Sequence, residues 1–318
     1  MDLKQLKALV TVAEVGSVTR AAELLHLVQP AVTRQIRALE DELGVALFER
    51  TRQGMRPTEA GTTLVDRARR ALTELDRARA ELTPDSGAVT GIVSVGLLES
   101  TADLLAEPLA RAVLREHPGI ELRLLTAYSG HLARWLDDGD LDLSLLYNLA
   151  STPSLNATPL VREQLWAVGA ASDGLRPDEP VRFADIAARP VIMPAPGHGL
   201  HAVITAAARQ ADTELDIAVH TNSMSLQKQL VRGGHGRTFL PAVGVAGHDG
   251  DDLSAAPLCA PEVWRSIVLG TPRAGRVSPA AGIVARALVG QIRSAVRHGR
   301  WPSAQLLDGP RTGKNPAG

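Results

Sequence analysis

The spacing of apolar residues changes character once along the chain, near Gly91, and that change dictates a two-part fold. Before it, apolar residues recur almost throughout three or four apart, the interval of helices packed on one face. After it, short apolar runs alternate with helical stretches, as in a parallel α/β sheet. A chain of 318 residues has room for about two domains of roughly 150 residues each. With 45% hydrophobic and 22% charged residues, a disordered or fibrous chain is excluded. No apolar run reaches the roughly 18 residues of a membrane helix. The start, Met1-Asp2-Leu3-Lys4-Gln5, lacks the basic and apolar segments of a secretory leader. The single cysteine, Cys259, excludes an intrachain disulfide. The expectation is a cytoplasmic protein with no membrane partner.

Residues 3–15 have helical spacing, and Gly16 ends that helix. Ser17 caps a second helix running to about Leu25. After a short break, Gln29-Pro30 opens a third helix, since proline suits a first turn, and Gly44 stops it. On a wheel of about 100° per residue with Pro30 at zero, Val32, Ile36, Leu39 and Leu43 fall between about 180° and 240°. Thr33, Arg34 and Arg37 fall within about 60° of zero. One side is a core stripe. The other carries two guanidinium groups and a hydroxyl near the helix N-terminus. That is the geometry of a recognition helix in a helix-turn-helix, where arginine can pair with guanine O6 and N7. An amphipathic helix with a merely solvated charged face is the alternative.

Charge alone does not decide between them. Residues 1–82 hold 13 Lys and Arg against 12 Asp and Glu, and the whole chain has a net charge of −1. A DNA reader of this composition must concentrate its cations locally. The segment 48–56 does so: short extended pieces flank a turn, with Arg50, Arg52 and Arg56 placed to meet a phosphate backbone beside the groove.

The runs Leu3-Lys4-Gln5-Leu6, Gly16-Ser17, Ala21-Ala22, Leu25-His26, Gln29-Pro30-Ala31, Arg34-Gln35-Ile36, Leu39-Glu40, Leu43-Gly44, Leu47-Phe48-Glu49-Arg50 and Pro57-Thr58-Glu59-Ala60-Gly61 closely resemble the winged helix-turn-helix of LysR-type transcriptional regulators. With the readings above, the resemblance implies a DNA-contacting set of Gln29, Pro30, Thr33, Arg34, Arg37, Arg50, Arg52 and Gln53. The family usually has serine just before the Gln-Pro pair, where this chain has Val28, and often serine where Thr33 stands.

After Thr58, a long helical stretch to Leu82 carries Leu64, Ala68, Ala71, Leu75, Ala78 and Leu82 at alternating steps of four and three. Such a seam can pair two subunits or pack on its own domain. The resemblance implies the former, with two recognition helices reading two half-sites of an inverted repeat. Pro84-Asp85-Ser86-Gly87 marks the expected boundary.

Beyond it, strands are expected over 92–96, 120–126, 141–147, 165–169, 191–193, 215–220, 238–240 and 263–270. Helices are expected over 101–117, 130–138, 199–211, 223–232 and 278–298. Two α/β lobes joined by crossing strands would enclose a cleft at their strand ends. The resemblance implies a periplasmic-binding-protein-like effector domain holding a small ligand, often an anion, between the lobes. Matched by position, its site residues are Ser100, Thr101, Ser129, Tyr147, Asn148, His198, Asn222 and Ser223. Serine and threonine at helix starts bind anions, but they also serve as plain N-caps. Arg237 could serve an anionic ligand or an interface.

The histidines have no Cys or carboxylate at a metal-ligand spacing, so no metal and no cofactor is expected. No nucleophile elbow, P-loop or dinucleotide fingerprint points to an enzyme.

The organisation expected is a DNA-binding domain over 1–58, a linker and dimerisation helix over 59–86, a two-lobed effector domain over 87–300, and a mobile tail over 301–318. The partners expected are double-stranded promoter DNA, a small-molecule effector, RNA polymerase, and further copies of the chain as homodimer or homotetramer. An effector-independent regulator, or a ligand-binding module with a vestigial DNA arm, is the alternative.

Overall fold

The computed structural model describes residues 1–52, 54–82, 89–147, 154–245, 252–273 and 277–307. The chain forms two compact units, Met1–Ser86 and Gly87–Gly318.

In the first unit, Asp2 opens α1 (Leu3–Val15) with a capping box. Its Oδ1 accepts from the Lys4 and Gln5 amides, and the Gln5 side chain accepts from the Asp2 amide. Ser17 Oγ caps α2 (Val18–Leu24) by accepting from Arg20 N at 3.3 Å. The third helix, α3 (Gln29–Leu43), begins with Pro30 in its first turn and ends at Gly44. Strands β1 (Phe48–Thr51) and β2 (Gly54–Pro57) pair antiparallel as a wing. Thr58 Oγ1 then caps α4 (Glu59–Leu82), accepting from Gly61 N at 3.0 Å and donating to Ala46 O at 2.7 Å.

The core unites Leu6, Leu9 and Val12 of α1, Ala21 and Ala22 of α2, Val32, Ile36 and Leu39 of α3, Leu47 and Phe48 at the entry to the wing, and Val65 and Ala68 of α4. Leu43, expected on the core stripe, is 43% exposed: it is the last residue of α3 and runs past the end of the core. The seam on α4 divides by position. Ala68 packs into this unit's own core at 2% exposed, and Leu64 is half-buried against the same core. Ala71, Leu75 and Ala78 face solvent, and the Leu82 side chain lies outside the described residues.

The second unit is built on one large sheet. Its first elements are β3 (Gly91–Leu98), α5 (Glu99–Glu116), β4 (Ile120–Ala127), α6 (Ser129–Asp137) and β5 (Leu143–Tyr147). Then follow β6 (Leu155–Ala170), β7 (Val181–Arg182), α7 (Phe183–Ala187), β8 (Val191–Met193), α8 (Gly199–Gln210), β9 (Ile217–His220), α9 (Met224–Arg232) and β10 (Arg237–Pro241). The last are β11 (Leu253–Cys259), β12 (Trp264–Pro272), α10 (Pro279–Arg297) and β13 (Ala304–Leu306).

Strand order is β4-β3-β5-β12-β6-β10-β8-β9. The strands β4, β3 and β5 run parallel in one lobe, and β9, β8 and β10 run parallel in the other. The 16-residue β6 crosses between them: residues 155–164 pair with β12, and 165–170 pair with β10 and β11. Only its second half was expected as a strand. The first half contains Pro159, which offers no N–H to a ladder, and the register with β12 slips between Ile267 and Val268, opposite that proline.

The tail expected over 301–318 is corrected for its first seven residues. Trp301 is 2% exposed and β13 pairs with β6, because the indole and its hydrogen bond to Glu163 anchor a stretch whose composition reads as loose. Residues 308–318 lie outside the described ones.

Candidate functional sites

The first site is the outer end of α3 with the wing. Arg34 and Arg37 are exposed while Val32, Ile36 and Leu39, on the opposite face, are buried. Gln29 and Pro30 are exposed in the first turn. Thr33 is half-buried: its hydroxyl donates to the Gln29 carbonyl at 3.1 Å and accepts from Gln29 Nε2 at 3.1 Å, which steadies the amide at the helix start. Two of the three acids of α3 are engaged elsewhere, while Asp41 is exposed. Glu40 Oε1 accepts from the Leu47 and Phe48 amides at 2.8 and 3.3 Å, fastening the base of the wing to α3, and Glu42 pairs with the N-terminal amine.

Arg50 and Arg52 are exposed on that wing, and Gln53 lies outside the described residues. The wing is also held against the turn between α1 and α2. Met55 N donates to Gly16 O at 2.8 Å, and a Cβ on Gly54, whose φ is +123°, would come within 2.4 Å of that carbonyl. Among the described residues, none of Arg34, Arg37, Arg50 and Arg52 has a carboxylate partner. Four cations therefore face water from a rigid support.

The second site lies in the second unit, where the C-terminal ends of β3, β4, β5, β8, β9 and β10 converge. Leu98 ends β3 and Ser100 follows it, Tyr128 follows β4 and Tyr147 ends β5. His198 follows β8, Asn222 follows β9 and Pro241 ends β10. They line an inner cavity of about 40 Å³, enough for only a few waters. A larger hollow of about 380 Å³ shares Glu99 and Met224 with it and reaches Asp103, Lys228 and Arg232.

A buried ion pair forms part of the wall of the inner cavity, which Arg265 lines. Arg265 on β12 and Glu163, its register partner on β6, are 2% and 0% exposed. Arg265 Nε donates to Glu163 Oε1 at 2.7 Å and Nη2 donates to Ser100 Oγ at 2.6 Å, while Trp301 Nε1 donates to Glu163 Oε2 at 2.7 Å. The guanidinium also lies 5.0 Å from the centre of the Tyr147 ring.

Side-chain hydrogen bonds join the lobes across the cleft. Glu99 Oε2 accepts from Met224 N at 3.4 Å, and Tyr147 Oη lies 3.1 Å from His198 Nδ1. Burial pushes the Tyr147 phenol up to about 12, against the opposing pull of Arg265. Burial pulls His198 down to about 4, with Arg265 and His201 acting in the same direction. Both groups are neutral at pH 7. Nδ1 also accepts from Leu200 N at 3.2 Å, so the hydrogen-bond network assigns the imidazole proton to Nε2.

Of the residues expected here, Ser100, Tyr147, His198 and Asn222 line the inner cavity. The others sit behind it. Thr101 is fully buried and donates to Leu98 O at 3.0 Å; Ser129 Oγ accepts from Tyr147 N at 3.2 Å; Ser223 caps α9 by accepting from Leu226 N at 3.2 Å. Asn148 lies outside the described residues. Arg237 donates to Asp173 Oδ1 at 2.7 Å and holds that carboxyl below its usual range. Sequence reasoning missed Arg265, Glu163 and Tyr128. The one signal was for Arg265, a single charge within the strand-like run 263–270; Glu163, flanked by Arg162 and Gln164, gave none.

Residues 3–62 match the model of the bacterial regulatory helix-turn-helix protein, lysR family, and residues 86–296 match that of the LysR substrate binding domain. The chain belongs to the LysR family. Over 97% of its length it is 29% identical to the HTH-type transcriptional regulator BbuR of Bordetella bronchiseptica, covering 95% of that protein. It is 30% identical to the DNA-binding transcriptional dual regulator OxyR of Escherichia coli, over 85% of this chain and 88% of that one. Its fold matches the full-length CbnR solved with its target DNA (TM-score 0.69, 24% identity, 93% of this chain and all of that one). It also matches a single-substitution variant of full-length OxyR from Pseudomonas aeruginosa (TM-score 0.68, 22% identity, 92% and 95%). The protein is a LysR-type DNA-binding transcriptional regulator with an effector-binding domain, and its family is one of regulators.

Proposed function

We propose that α3 enters the major groove at promoter inverted repeats, with Gln29, Pro30, Thr33, Arg34 and Arg37 toward the bases and Arg50, Arg52 and Gln53 on the adjoining backbone. The observation that carries this is the split face of α3, in which buried aliphatic residues back two exposed guanidinium groups that have no carboxylate partner among the described residues, with Glu40 and Glu42 tied off elsewhere. Two such helices reading an inverted repeat require a homodimer, or a homotetramer spanning two sites, with the exposed Ala71, Leu75 and Ala78 stretch of α4 in the pairing. Such a regulator works in the cytoplasm beside RNA polymerase. Among the described residues, no helix is long and apolar enough to cross a membrane.

The effector occupies the cleft between the lobes. Its apolar part enters beside Tyr128, Tyr147 and His198, and an anionic group lies in the outer hollow with Lys228 and Arg232. Arg265 is already neutralised by Glu163 and supports the wall. Entry exchanges the Tyr147–His198 and Glu99–Met224 bonds for contacts with the ligand, which shifts the lobes to another arrangement.

Gel-shift titration of the full-length protein on its own upstream DNA, with Arg34→Ala beside it, tests the first part. Equal loss of specific and non-specific affinity would contradict base reading. A thermal-shift screen of metabolites tests the second, and a screen without any stabilising compound would favour a regulator that acts without an effector. The small inner cavity is the observation on that side.

A further inference from the structure

We propose that Val28 is a sequence-reading residue that selects thymine through its 5-methyl group. Val28 occupies the N-cap position of α3 with extended backbone (φ −86°, ψ 143°) and makes no side-chain capping bond. At 68% it is more exposed than any other large apolar side chain among the described residues.

A single exposed aliphatic residue ordinarily carries no message. Its place gives this one meaning. It directly precedes Gln29 and Pro30 at the start of the helix whose early residues approach the bases, and the unit's core is complete without it. A hydroxyl residue at this position could cap the helix and donate to a phosphate, and valine can do neither. In the major groove the one apolar group on any base pair is the C5-methyl of thymine. Burying the valine methyl groups against it takes apolar surface on both sides out of water. The ring of Pro30, likewise exposed and without an N–H, extends the same apolar edge. Val28 thereby gives up a backbone anchor and gains a base preference.

The inference rests on the groove placement of α3 proposed above. Its test uses the full-length protein on binding sites selected from random double-stranded DNA. In a selected site, each thymine of one half-site is replaced in turn by deoxyuridine, which removes only the methyl group, and dissociation constants are read by fluorescence anisotropy. One thymine per half-site should show a loss of about fourfold, the worth of one buried methyl group. In Val28→Ala and Val28→Ser the ratio of thymine to deoxyuridine affinity at that position should fall to about one. The ratio is internal, so a general loss of affinity in a variant cannot imitate this result. A thymine preference that persists undiminished in both variants, or no thymine preference at any position, overturns the inference and leaves the Arg34 reading standing. Selection that yields no preferred sequence overturns both. Variants that bind DNA with the wild-type ratio but lose transcriptional output in a reconstituted assay assign Val28 to a protein contact, and that also overturns it.

Discussion

The arginines of the two candidate sites have opposite surroundings. Arg34, Arg37, Arg50 and Arg52 stand in water on a stiff frame, and the nearby acid Glu40 is spent on backbone amides. Arg265 is sealed in the second unit, shared among a carboxylate, a hydroxyl and an aromatic ring. The contrast shows why net charge was a poor guide. A chain of net charge −1 keeps four exposed arginines on α3 and the wing while Glu40 and Glu42 are tied up nearby, and Arg265 is cancelled where it lies. Solvated cations attract a polyanion and cost little to remove. A buried cation holds a wall in place and is costly to strand or to strand a partner from.

That difference can be broken or sharpened experimentally. Arg265→Leu leaves Glu163 buried without its counter-charge, so thermal or urea unfolding should show a loss of about 3–5 kcal/mol. A stability near wild type would mean the pair is not the support described. Next in size, Arg34→Ala should cost about 1–3 kcal/mol of specific DNA affinity. Its unfolding free energy should stay within about 0.5 kcal/mol of wild type, the reverse of the Arg265 variant.

The third expectation concerns pH. His198 has its folded-state value depressed to about 4 from 6.5, so the unfolded chain binds more protons between those values. Its contribution to stability is present above about pH 6.5 and is lost as pH falls toward 4. Protonated Nδ1 can no longer accept from Leu200 N or Tyr147. The measurement is Tm against pH for wild type and His198→Gln, in which the slope across that window should flatten. The smallest effect belongs to the wing: Arg50→Ala should reduce the salt dependence of DNA affinity by about one in the log–log slope. An unchanged slope would remove Arg50 from the backbone contacts.

Legibility in the sequence followed the range of the interactions. Helices α1 and α3 could be bounded closely from Gly16, Pro30 and Gly44, because start and stop signals are local. The strands of the parallel cores are nearly pure apolar runs and were equally visible. The first half of β6 was not, since Pro159, Arg162 and Glu163 interrupt its pattern and its pairing with β12 joins residues about a hundred positions apart. The wall of the cleft has the same cause: Glu163, Arg265, Ser100 and Trp301 meet only after the sheet has formed. On α4 the four-three spacing is real, but core packing at Leu64 and Ala68 and pairing of helices ask for the same spacing.

Gly61, in the first turn of α4, touches the chain before the wing so closely that a Cβ there would stand 1.9 Å from the Leu47 carbonyl oxygen. The junction has no slack. The 24 residues of α4 make a rod about 36 Å long, clamped at one end to the reading head. A tilt of about 5° at the clamp carries the far end through about 3 Å, and the same displacement applied at the far end turns the head by the same angle. Leu64, Val65, Ala68 and Leu72 pack the first half of the rod into the same core, so rod and head are one piece, and turning the rod turns the exposed arginines of α3 with it without any part of the head unfolding.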